Sequence, residues 1–101
     1  RRGKLMKLVV TESAAKWYKQ ELDLKDGDFI RFFVKLYGGN PSIHPNYSLG
    51  ISKEEPGDIA VCDKKAGVTF YFDEQDEWFI EQHELIVDFQ NGEIQFTFKK
   101  E

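Results

Sequence analysis

FIRFFVKLYGGNPSIHPNYSLGI, residues 29–51, is an apolar strand, a glycine and proline break, and the beginning of a returning strand. Successive strand side chains alternate between faces, so Ile30, Phe32, Val34 and Leu36 make one wholly apolar face. Phe29, Arg31, Phe33, Lys35 and Tyr37 make the other, which is mixed. A strand apolar on one face and half apolar on the other belongs near the centre of a sheet. Gly38-Gly39 then frees the backbone. Asn40-Pro41 and His44-Pro45 stiffen the loop, because each proline fixes its own φ and pushes the preceding residue toward extended backbone. A shaped loop at the end of a central strand is a usual place for binding. Gly38, Gly39, Asn40, His44 and Tyr47 are therefore the candidate binding residues.

On the N-terminal side, Lys7–Val10 reads as a short strand. Thr11 suits a helix N-cap, with Glu12 in the first turn where the dipole favours negative charge. The helix is expected to reach about Leu22, with Ala14, Trp17, Tyr18, Glu21 and Leu22 on one face and the two alanines admitting close approach to a sheet. Lys25-Asp26-Gly27-Asp28 is a turn.

On the C-terminal side, strands are expected over Tyr47–Ser52, Ile59–Asp63 and Val68–Asp73, separated by turns at residues 53–58 and 64–67. The acidic run Asp73–Glu77 reads as a solvated segment leading into a short helical turn near Trp78. Asn91-Gly92 is the preferred two-residue type I′ hairpin turn. It places Phe89 opposite Ile94, Val87 opposite Phe96 and Leu85 opposite Phe98, all six on one face, and a one-residue slip would destroy that match. The order is strand, helix, then about six strands. This predicts a mainly β (α+β) fold, an antiparallel β-sandwich or small barrel with one N-terminal helix packed on it.

The 101 residues are enough for a single domain with a real core. Nine Phe, four Tyr and two Trp favour sheet over helix. The net charge is −4 and no basic stripe exists, which argues against nucleic acid. No apolar run is long enough for a membrane helix, which requires about 18 residues. A single cysteine rules out an internal disulfide framework. The expectation is a reduced, soluble, cytoplasmic protein. Residues 1–5 precede Met6, the only methionine. They are expected to be disordered residues ahead of a native start, with one domain over 6–101.

The chain resembles the HesB/IscA-type family, the A-type iron–sulfur cluster carriers, over nearly all of Met6–Phe98. LVVTESAAKWYKQEL is similar to the family's opening strand and helix, and FIRFFVKLYGG to its central strand and ligand loop. Tyr47-Ser48-Leu49, Ala66–Asp73, Trp78–Ile80 and Leu85–Phe89 resemble its later strands and helical turn. The resemblance implies the fold and a possible homodimer. It also implies three cluster-ligating cysteines, one in the loop and two near the C-terminus. Here the loop position falls at about Gly39, with no thiolate, and the C-terminal Cys-Gly-Cys motif has no counterpart. Iron–sulfur clusters need soft thiolates, usually four. One cysteine supplies too few, even pooled across a dimer.

The expectation is thus a HesB/IscA-like binding or accessory protein with no cofactor of its own, and not an enzyme, because no catalytic motif is present. It would use residues 38–47 to engage an unidentified protein or small molecule. The alternative is an iron or iron–sulfur carrier with substitute ligands drawn from Cys62, His44 and His83. Cys62 itself, among Ile59, Ala60 and Val61, is expected to pack as a small buried hydrophobe.

Overall fold

The computed structural model of the chain describes residues 6–36 and 47–100. Strand β1 (Met6–Val10) leads into helix α1 (Glu12–Glu21). Six strands come after it: β2 (Phe29–Leu36), β3 (Tyr47–Lys53), β4 (Ile59–Lys65), β5 (Val68–Asp73), β6 (His83–Gln90) and β7 (Glu93–Lys100). A 3-10 turn over Glu74–Phe79 joins β5 to β6. The strands form two sheets, one in the order β1-β6-β7 and one in the order β3-β2-β5-β4. The result is an α+β fold of two mixed sheets and not a closed barrel.

The three hairpins, β2–β3, β4–β5 and β6–β7, are antiparallel. The pairs β1–β6 and β2–β5 are parallel, in contrast to the antiparallel sheet expected. The two-residue turns force β4–β5 and β6–β7 to be antiparallel, whereas longer connections leave direction free, and no local pattern records it. The last hairpin takes the register its turn dictates, with Phe89 facing Ile94, Val87 facing Phe96 and Leu85 facing Phe98. Asn91 and Gly92 both have positive φ, at 54° and 82°, as a type I′ turn requires.

The core lies between the sheets and α1. Ile30 and Phe32 from β2 meet Val68, Phe70 and Phe72 from β5 and Leu85 and Val87 from β6, all fully buried. Ring contacts knit the layers: Phe32 packs on Phe72 at 5.8 Å and edge-on against Phe96 of β7 at 6.4 Å. Each such pair contributes about 0.5–1.5 kcal/mol beyond the area it buries. Ala14 and Ala15 bring α1 close enough for Tyr18 to reach Phe32 and Phe70. Leu22, expected on that packed face, is instead the helix C-cap and is 41% exposed, because the helix ends before another turn can carry it inward.

Thr11 holds the start of α1 to the sheet. Its hydroxyl accepts from the Ala14 amide at 3.2 Å and donates to Asp88 Oδ1 at 2.7 Å, while its own amide donates to the Val87 carbonyl at 2.9 Å. Hydrogen bonds from Thr11, Gln90, the Phe89 amide and Ser13 hold the Asp88 carboxyl below the usual aspartate range. Removing the cap in Thr11→Ala is expected to lower the unfolding free energy by about 1 kcal/mol, read from urea denaturation. A depressed folded-state pKa stabilises above the unfolded value and is lost as pH falls through the folded one. The stability gap between wild type and Asp88→Asn should therefore be full at neutral pH and close as pH drops below about 4.

Candidate functional site

The loop carrying Gly38, Gly39, Asn40 and His44 lies outside the described residues. Its two ends are fixed: Leu36 closes β2, Tyr47 opens β3, and the two are register partners. The Tyr47 side chain also lies outside the description.

Cys62 is exposed, not buried as expected. It sits on β4, the outer strand of its sheet, where the inward positions belong to Val61, Asp63 and Lys65. Asp63 Oδ2 accepts from the Val10 amide and from Lys65 Nζ, both at 2.8 Å, and so ties β4 to β1 of the other sheet. Cys62, one residue earlier, necessarily points the other way. His83 begins β6, and its Nδ1 lies 2.8 Å from the Glu81 carbonyl oxygen. Among the described residues no three His, Cys, Asp or Glu side chains converge as a metal-holding group. The donor set does not fit a thiolate-held cluster: one sulfur, exposed on an outer strand, stands where several must converge.

Two concave regions lie beside β2. The larger, of about 460 Å³, opens between the two sheets. Leu49 and Ile51 come from β3, Ile94 and Phe96 from β7, and Trp17 and Tyr18 from α1. Both strands are the outermost of their sheets. Trp17 stacks on Phe89 at 5.5 Å, which fixes the helix against β6. Burial pushes the Tyr18 phenol well above the ordinary tyrosine value, so it stays neutral at any physiological pH. Phe33 and Gly50, register partners on β2 and β3, also line this groove. A Cβ on residue 50 would stand 2.7 Å from the Phe33 ring, so glycine there lets the ring lie across β3. Lys35 is the one charged side chain in the lining. It is exposed and forms no ion pair with a described residue.

The smaller region, of about 400 Å³, is polar and surrounds Arg31. Arg31 Nη2 donates to Asp76 Oδ2 at 2.9 Å, and Nη1 lies 3.7 Å from Glu54 Oε1. The two partners of the short bond are 17% and 11% exposed at their side chains. Burial works against the guanidinium charge, but Asp76, Glu54 and Asp73 outweigh it and raise the pKa above the ordinary arginine value. The Tyr71 hydroxyl donates to the Glu54 carbonyl at 3.1 Å, which pins the β3–β4 turn over the sheet. Asp76 belongs to the acidic run expected to be solvated, yet it is 7% exposed. The signal in the sequence was Arg31 itself, since a cation in so apolar a strand needs a counter-charge. This pair reads as a fastener. Asp76→Ala strands Arg31 and is expected to cost about 2–3 kcal/mol in urea unfolding, with Glu54 softening the loss.

With this geometry in view, comparison with known proteins gives the class. The family model described as iron-sulphur cluster biosynthesis matches residues 6–101, and the chain belongs to that family. It is 40% identical over 94 residues to a Bacillus subtilis protein named pyruvate dehydrogenase inhibitor, covering 93% of this chain and 98% of that one. It is 31% identical over 98 residues to an uncharacterized protein of Staphylococcus saprophyticus, covering 93% and 100%. Uncharacterized proteins of Staphylococcus aureus match at 25% identity over 95 residues. No helix among the described residues is long and apolar enough to cross a membrane.

Proposed function

We propose that this protein works by binding another protein, with no iron–sulfur cluster of its own, and that its partner is the pyruvate dehydrogenase of its own cell, which it restrains. The observation that carries this reading is the near-full-length, 40% identity to a protein named as an inhibitor of that enzyme. The donor chemistry supports the same direction, because one exposed thiol replaces the set of thiolates that cluster carriage demands. An inhibitor needs shape and surface and no reacting groups. The groove beside β2 and β3 offers a partner a largely apolar surface.

The test is a titration of purified protein into the purified pyruvate dehydrogenase complex of the source organism, following NADH formation. Activity should fall in proportion to added protein until a plateau. The effect should be the same after the protein is treated with an iron chelator, and the same for Cys62→Ala. No loss of activity at saturating protein contradicts the partner. Inhibition that needs iron and sulfide reconstitution, and disappears in Cys62→Ala, contradicts the cluster-free mechanism.

A further inference from the structure

Among the described residues the edges of the two sheets are hydrogen-bonded to each other along one seam. β1 lies against β4, joined by the Val10–Asp63 hydrogen bond, while the outer strands on the other side, β3 and β7, face a shared groove. Among the described residues neither outer edge has a strand beside it. Such an edge presents unpaired N–H and C=O groups in a row. Leu49, Ile51, Ile94 and Phe96 line the space between, and of these Ile51, Ile94 and Phe96 are only partly buried. Their apolar surface is thus left to meet water, at about 25 cal/mol per Å². Lys35, which has no ion-pair partner among the described residues, supplies one positive charge to this otherwise uncharged lining.

We infer that the groove between β3 and β7 receives an extended segment of a partner protein, with apolar side chains at alternate positions and an aspartate or glutamate within reach of Lys35. The free edge offers main-chain hydrogen bonds, the groove takes every second side chain, and the lysine selects an acidic segment over a basic one. This is recognition by strand addition, in which the backbone supplies affinity and the alternate side chains supply specificity. A helix would leave the edge groups unpaired, and a second copy of this chain would bring a second Lys35 to the same place. The inference rests on the protein-binding reading above and not on which enzyme the partner is.

The test selects from a phage-displayed library of random linear peptides on the wild-type protein. Lys35→Glu and Ile94→Glu serve as variants, with Lys16→Glu on the exposed side of α1 as the charge-reversal control. Lys35 is exposed, so its reversal should leave the thermal midpoint unchanged and keep the test valid if Ile94→Glu unfolds. Wild type should enrich peptides alternating apolar and polar residues with at least one carboxylate. Their affinity should fall about tenfold in Lys35→Glu and stay constant in Lys16→Glu. Failure to enrich any such pattern, or enriched peptides that bind Lys35→Glu as well as wild type, overturns the inference. So does a dimer in sedimentation that Ile94→Glu dissolves, which would make the groove a contact between copies. If the peptides behave as expected while pyruvate dehydrogenase is not inhibited, the groove stands and the enzyme partner falls.

Discussion

Asp63 decides how this domain closes. Its carboxylate takes the Val10 amide and Lys65 Nζ at once, bridging β4 of one sheet to β1 of the other. An inward carboxylate at a sheet edge would be costly without partners, and here both are present. The bridge sets the two sheets in contact along one side. On the other side β3 and β7 line a groove together with Trp17 and Tyr18 of α1, which pack on Phe89, Phe32 and Phe70. The aromatic core fills the interior but stops short of that second seam, where Ile94 and Phe96 remain partly uncovered.

Much of this architecture is written locally. Thr11 caps α1 as its position before Glu12 and the alanines indicates, and the Asn91-Gly92 turn fixes six core partners in β6 and β7. Ile30 and Phe32 go to the core because the strand period puts them together. The features that local residues do not reveal are long-range. Parallel pairing of β1 with β6 and of β2 with β5 depends on how the chain crosses over, which no neighbour in sequence reports. Cys62 has apolar neighbours in sequence and is nevertheless exposed, because a strand sends neighbours to opposite faces. The acidic run hides Asp76 for a similar reason: only its three-dimensional meeting with Arg31 removes it from solvent.

The site is the least legible part. Residues 38–47 stand out in the sequence for their glycines and prolines, and residues 37–46 lie outside the described structure. The groove is assembled from α1, β2, β3 and β7, four elements spread across the chain, none of which announces a pocket alone. Lys35 is the nearest thing to a sign, a cation on the mixed face of a central strand. Family membership supplies the scaffold, while among the described residues one exposed cysteine is the only thiol and no metal-holding group converges.

The central claim, association without a metal centre, is tested most directly by sedimentation of chelator-treated protein with the intact pyruvate dehydrogenase complex of its source organism. The account predicts that the small protein travels with the large complex at a fixed stoichiometry while iron and sulfide analysis of the pellet shows no excess over the complex alone. If the chelated protein sediments by itself, and joins the complex only after iron and sulfide are restored, the account is wrong.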